Sequence, residues 1–420
     1  MQSASAARSS WALTLTAAAV LMVTMGARQS LGLFVSPLNT STGLGIVTIS
    51  LAMAVGQFIW GAVQPIAGAV ADRYGPGRVL AAGLVLMALG SALTPFMTTA
   101  WGLIFSIGVL SQAGAGAGGF SVLIGSASQR LAAEKRGMAS GVINAGGSFG
   151  QFVFAPLLQK LIATFGWVGA MWSLGVITLA ALPLARMLRR QPALAKTGIT
   201  VGETASSASG AEHGATRDPG IRAAVRSALA DRSYLLLNAA FFTCGFHIAF
   251  LVTHLPGEVH LCGLPAQVAS WSLAIIGLAN IAGSLIIGRC VQSYRSKYLL
   301  FWMYASRALL ILLYLMAPRT SLTFYLFAAG LGFTWLATVP PTAAVVGKLF
   351  GTRYLATLFG FTLLSHQVGG FLGAWLGGVA IAHLGNYNAM WYADIALASA
   401  AAVLNLPIRE ARIMPQFRPV

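Results

Sequence analysis

Acidic residues are nearly missing from this chain: nine Asp and Glu stand among 420 residues, against 26 Lys and Arg. Charge of either sign amounts to only 8%, where a soluble chain carries about a quarter, so a soluble globular protein is excluded. Cysteine is scarce as well. Cys244, Cys262 and Cys290 have neither metal-ligand nor redox spacing, which argues against a disulfide scaffold or a thiolate metal site. The sequence also lacks a nucleotide-binding loop, a metal-ligand cluster and a recognisable serine or cysteine nucleophile. It therefore reads as non-enzymatic, with no metal and no cofactor.

What fills the chain instead is apolar: 57% hydrophobic residues and a mean hydropathy of +0.77. The apolar residues fall in blocks of roughly twenty, each long enough to cross ~30 Å of hydrocarbon. Reading these blocks against loop signals places spans near 11–37, 46–70, 79–98, 101–128, 137–158 and 167–187. A second set follows near 233–256, 267–289, 298–317, 321–346, 354–382 and 389–407. The expected fold is an all-α membrane protein of twelve transmembrane helices, with an N-terminal six-helix bundle over 1–187, a linker over 188–232 and a C-terminal bundle over 233–420. Trp11 to Ala27 has the look of a signal-peptide core, but the apolar spans that follow make it an uncleaved first helix.

The net charge of +17 would suit a nucleic-acid binder, but its distribution points elsewhere. With these spans, 22 of the 26 Lys and Arg lie on one side of the membrane. Lys160 and Arg319 lie on the other side, and Arg28 and Arg307 lie within spans. A one-sided basic bias marks the cytoplasmic face, which holds both termini, so no nucleic-acid partner is called for. In the linker, Val201 to Arg217 is rich in Ser, Gly, Ala and Thr. Further on, Arg222 and Arg226 stand one helical turn apart beside Ala and Val. That pattern fits a basic helix on anionic lipid or a solvated linker helix.

The two halves echo each other. Gly26-x-Arg28-x8-Pro37 in the first is matched by Gly245-x-His247-x8-Pro256 in the second. Arg78 and Arg295 stand at the same offset as Arg136 and Arg353. An ancestral duplication of six helices accounts for all three pairs. Many secondary transporters are built in this way, with polar groups lining the space between the repeats.

Between the second and third spans stands Gly68-Ala-Val-Ala71-Asp72-Arg73-Tyr74-Gly75-Pro76-Gly77-Arg78. It resembles the signature loop of the major facilitator superfamily, and with twelve spans and a long central loop the resemblance covers the whole chain. It implies the major facilitator fold and a conformational latch at Asp72, Arg73 and Arg78; the plainer reading is that these residues only orient the loop. The equivalent loop of the second half, Gly288 to Arg295, has lost its acid and turn glycines.

A guanidinium at bilayer depth costs at least ~2.5–3.5 kcal/mol unless it faces a cavity or a partner. Arg28 carries that cost, and its planar fork suits a carboxylate or phosphonate. The nine acids all fall in connections except Asp394, near the outer end of the last span, so an anionic ligand explains Arg28 better than a buried acid does. With membrane carboxylates so scarce, His247 and His366 are the candidates to carry a proton, although either could be an ordinary hydrogen-bonded imidazole. Polar residues on small-residue stripes mark wet or bonded helix faces. By that criterion Gln151 of the fifth span and Asn280 of the eighth join the candidate substrate contacts, with Trp335 shaping the pocket. Arg307 is read as a structural cation, snorkelling or paired with Asp394.

Three segments, Gly245 to Pro256, Arg28 to Phe34 and Ser365-His366-Gln367, resemble bacterial relatives of the monocarboxylate transporters and oxalate–formate antiporters. The resemblance implies a small organic anion moved with a proton or by exchange across a bacterial inner membrane. Those proteins hold the anion with a basic residue in the eighth span. Here Ser270 to Ile287 has none, and the duty falls to Arg28. Two other readings stay open: a transporter of a larger amphipathic metabolite or drug, and a receptor that binds without transport.

Overall fold

The computed structural model describes residues 2–120, 122–123, 126–127, 133–188, 220–350 and 355–410, and every regular element among them is a helix. Ten described stretches are long and apolar enough to cross a membrane, with mean hydropathies of 1.3 to 2.0. The longest, Gly141–Met187, has 47 residues and as one straight helix would measure ~70 Å, about twice the hydrocarbon thickness. Gly166 breaks it, with φ +69° and ψ 173°, a conformation that only glycine adopts without strain. The stretch is therefore two crossings. Asn388–Asn405 adds a further helix of 18 residues.

The described residues thus form twelve crossings. They are α1 Trp11–Thr42, α2 Ile46–Tyr74, α3 Pro76–Phe96, α4 Ala100–Ala117, α5 133–165 and α6 167–187. The second set is α7 Arg232–Leu261, α8 Ala266–Ser293, α9 Ser296–Met316, α10 Ser321–Phe350, α11 Leu355–Leu384 and α12 Asn388–Asn405. A short helix, Gly220–Ala230, leads into α7.

Within the halves, α1 packs chiefly on α5 and α7 on α11. Across them, α2 packs on α11 and α8 on α5. Exchanging α1, α2 and α5 for α7, α8 and α11 turns each pair into its counterpart, which is the pseudo-symmetry of two related six-helix bundles. The halves are pressed together at the Leu31–Phe34 stretch of α1. There Gly32 lies so tight on α7 that a Cβ would come within 1.9 Å of the Val252 carbonyl oxygen. At the opposite end, a Cβ on Gly68 or Gly288 would meet no described atom within 4 Å.

Three described crossings leave regular α-helix near their middles, α4 by widening into a π-helix over Ile104–Ser111. α1 tightens just past Arg28 into a 3-10 turn, Leu31–Phe34. α10 breaks between Ser321–Thr334 and Val339–Phe350. The cause of the α10 break is local: Pro340 and Pro341 have no N–H for the carbonyls one turn earlier. The backbone groups freed nearby are recovered by side chains. Asn280 accepts from the Leu336 N–H at 3.0 Å, and Arg307 donates to the carbonyls of Thr334 and Trp335 at 3.0 and 3.4 Å. Such groups must be satisfied inside the protein where no water reaches them.

Candidate functional site

Between the halves, against the α10 break, lies a cavity of about 30 Å³, room for water rather than for an organic ligand in this conformation. Met25, Arg28 and Gln29 of α1, Gln57 and Trp60 of α2, and Phe120 line it from the first half. Gly245 and Ile248 of α7, Trp335 and Leu336 of the α10 break, and His366 of α11 line it from the second. Close approach of α7 to α11 depends on Gly245, where a Cβ would sit 1.7 Å from the His366 carbonyl oxygen.

Arg28 is 7% exposed. Its Nη2 donates to Oε1 of Gln57, and its guanidinium carbon lies 4.1 Å from the centre of the Trp60 ring, a cation–π contact. No carboxylate pairs with it among the described residues, and its Nε has no described hydrogen-bond partner. The indole N–H groups of Trp60 and Trp335 also lack described acceptors. Against these three donors stands one unpartnered acceptor of the lining, Gln29 Oε1, so donors are in excess, which is the chemistry of an anion site. The His366 ring lies 5.0 Å from the Phe241 ring and tilted 47° to it, with Nδ1 3.3 Å from Nε2 of Gln367.

The candidates read from sequence separate into three groups. Arg28, Trp335 and His366 line the cavity together. Gln151 and Asn280 are buried but belong to the contact between halves. Asn280 Nδ2 donates to Ser148 Oγ at 2.9 Å, and its Oδ1 accepts from Leu336 and Ser284. His247 is fully buried behind Trp335, with the two rings 5.9 Å apart. Of the latch residues, Arg78 is exposed, and the side chains of Asp72 and Arg73 lie outside the described residues.

The structure corrects the reading of the acids. Asp394 pairs with Nδ1 of His247, and both side chains are fully buried, so a membrane carboxylate does reach the centre of the second half. Asp394 stands in the second turn of α12, and it is the packing of α7 on that helix that brings His247 to it. Arg307 bonds the α10 carbonyls rather than Asp394. Glu258, assigned to a connection, lies buried in the last turn of α7 and accepts from the Tyr314 hydroxyl at 2.8 Å. Sequence reasoning passed over Gln57 and Trp60 as contacts of Arg28. Gln57 stood on a small and polar stripe, Ser50, Ala54, Gln57 and Gly61, which was the available signal.

Residues 17–374 match the sequence profile of the Major Facilitator Superfamily. The chain is 28% identical over 399 residues to monocarboxylate transporter 13 of Rattus norvegicus, covering 94% of this chain and 89% of that protein. It is 23% identical to the oxalate:formate antiporter of Oxalobacter formigenes, covering 89% of this chain and 86% of the antiporter. A crystal structure of a D-xylose-proton symporter superposes with a TM-score of 0.72 at 14% identity, covering 95% of this chain and 97% of that one. At that identity the likeness concerns the fold alone.

Proposed function

The chain belongs to the Major Facilitator Superfamily, and from that premise we propose that it carries small organic monoanions by alternating access, driven by a proton or by exchange. One observation carries the reading: Arg28 lines the central cavity with no described carboxylate to neutralise it and with donor capacity to spare. A buried charge left in this way is costly, and a substrate carboxylate is the group that would offset it. The names of two relatives, a monocarboxylate transporter and an oxalate:formate antiporter, support an organic acid as cargo.

Trp335 and His366 shape the pocket opposite Arg28, and His247 or His366 supplies the titratable group. Gln151 and Asn280 act by joining the halves rather than by holding the anion in this conformation. The basic end of the molecule faces the cytoplasm of a bacterial cell, and the structure corresponds to the inward-facing side of the cycle, since the halves meet at the opposite end. Asp72, Arg73 and Arg78 form the latch for the alternative state. The helix Gly220–Ala230 leaves Arg222 and Arg226 exposed while Ala228 is fully buried, the arrangement of a basic helix lying on anionic headgroups. The division into bundles at 1–187 and 233–420 gives the two rigid bodies.

Reconstitution into liposomes tests this reading. Labelled lactate, pyruvate and oxalate are offered with and without a pH gradient, to the wild type and to Arg28→Ala. Saturable uptake of a monocarboxylate that falls by about a hundredfold in Arg28→Ala, roughly 2.7 kcal/mol of binding, is expected. Equal uptake by both proteins would remove Arg28 from the site.

A further inference from the structure

Behind the cavity wall formed by Trp335 lies a second polar group, enclosed by the helices that follow Arg232. His247 of α7, Arg307 of α9 and Asp394 of α12 are all fully buried. His247 Nδ1 bonds Asp394, and Arg307 lies within coulombic range of His247. Trp335 of α10 packs on the imidazole, Arg307 lies 5.5 Å from the centre of the Tyr304 ring of α9, and Cys244 of α7 lies 3.4 Å from Thr338 Oγ1. Among the charged groups, Asp394 and Arg307 are the two that act on it.

Two features separate this group from a simple structural ion pair. First, its hydrogen-bonding capacity is only half used. His247 Nε2, Asp394 Oδ1 and the Nε and Nη1 of Arg307 have no described partner, whereas buried polar networks that serve stability are normally saturated. Second, it is mechanically joined to the cavity. Arg307 holds the carbonyls of Thr334 and Trp335, the residues at which α10 breaks, and Trp335 is cavity wall. The charges also connect, since His366 of the cavity lies within coulombic range of both Arg28 and Arg307.

We propose that the His247–Asp394 pair, with Arg307 as its fixed counter-cation, is the proton-binding site of the transporter, and that the broken turn of α10 passes its occupancy to the anion cavity. This rests on the transport reading above and assigns the proton to this pair rather than to His366. With the imidazole neutral, Arg307 and Asp394 cancel. A proton taken from water adds to Nε2 of His247 and makes an imidazolium paired to the carboxylate; it later returns to water from the same nitrogen. Only an N–H bond forms and breaks, and no electrons change hands. The group then carries one uncompensated positive charge beside Trp335, which a monoanion at Arg28 neutralises. Proton and anion therefore favour each other's binding, and by the same factor in either order.

The test begins without a substrate. Infrared difference spectra of the full-length protein in lipid bilayers are recorded between about pH 8 and about pH 5, the range in which an imidazole changes charge. A component present in the wild type and in His366→Gln, and missing from both His247→Gln and Asp394→Asn, is expected. Spectra of those last two variants that match the wild type would overturn the proposal, as would loss of the component in His366→Gln alone. Both substitutions are near-isosteric; if Asp394→Asn does not fold, as read by thermal shift, His247→Gln decides.

The second arm uses labelled lactate in proteoliposomes. The ratio of gradient-driven uptake to counterflow should fall by about tenfold in His247→Gln, the size of a lost coupling. An unchanged ratio would overturn the proton assignment. Absence of any lactate flux with the infrared component intact would count against the cargo reading and leave the proton site standing.

Discussion

At the scale of single residues, the centre of the molecule is organised by what Arg28 lacks. A guanidinium offers five donors in a rigid fork, and here Gln57 takes one of them while Trp60 covers a face. Gln57 is neutral, so it holds the fork in place without cancelling its charge. Gln57→Glu would put a carboxylate where the amide oxygen stands and turn the site's own wall into a competitor for the substrate. The KM for a transported anion should rise by about tenfold or more, since each ~1.4 kcal/mol is a factor of ten. Initial rates of uptake across a concentration series measure this, and an unchanged KM would mean that the anion does not bind at Arg28.

At the scale of elements, chain segments that break helix are repaired by side chains from neighbours, and the repairs tie helices together. The start of α9 is one case. Its first N–H groups, those of Ser296 and Lys297, donate at 3.0 Å to the two carboxylate oxygens of Glu410, beyond the end of α12. Lys348 at the end of α10 pairs with the same carboxylate, and Lys297 Nζ bonds the carbonyls of Leu406 and Ile408. One acid therefore caps a helix and joins three crossings.

Burial opposes ionisation of Glu410. The hydrogen bonds from Lys348, Lys297 and Ser296, aided by the Lys348 charge, outweigh it and hold the carboxyl below its ordinary value of 4.5. Because the folded value is depressed, the stabilisation is complete above about pH 4.5 and is lost as pH falls through the folded value. Glu410→Gln should cost about 1–2 kcal/mol and lower the Tm by a few degrees near neutral pH. Thermal unfolding of both proteins should show that gap closing as pH falls below the ordinary value of 4.5 and through the depressed folded one, and a gap independent of pH would argue that the amide merely packs badly.

At the scale of the whole molecule, the pseudo-symmetric contacts α2–α11 and α5–α8 form the seam about which the two bundles would rock under the alternating access proposed above. On that proposal, the close approach of Gly32 to Val252 is a contact that the alternative state breaks. Spin labels at the exposed positions Thr40 and Gln267, one on each half near that seal in a cysteine-free background, should report a short and a longer distance. Adding substrate or changing pH should shift the balance between them. A single distance under every condition would rule out rocking at this face. Gly32→Val, which places a side chain against the Val252 carbonyl, should populate the longer distance at rest.

Much of this architecture was legible in the chain as written. Hydrophobic length is a local property, so the run of crossings and the repeat at Gly26–Pro37 and Gly245–Pro256 could be read without coordinates. Pro340 and Pro341 also carried the α10 break in plain sight. The cost of an unpaired Arg28 in hydrocarbon follows from the same local facts. What tertiary structure alone decided is who faces whom. Asp394 looked marginal when counted from the end of its span, yet it meets His247 at the centre of the second half. Gln57 was one polar residue among several on a stripe, yet it is the one that holds Arg28. Such pairings depend on helix offset, tilt and rotation, which are set by packing against neighbours and leave no trace in a residue count along one helix.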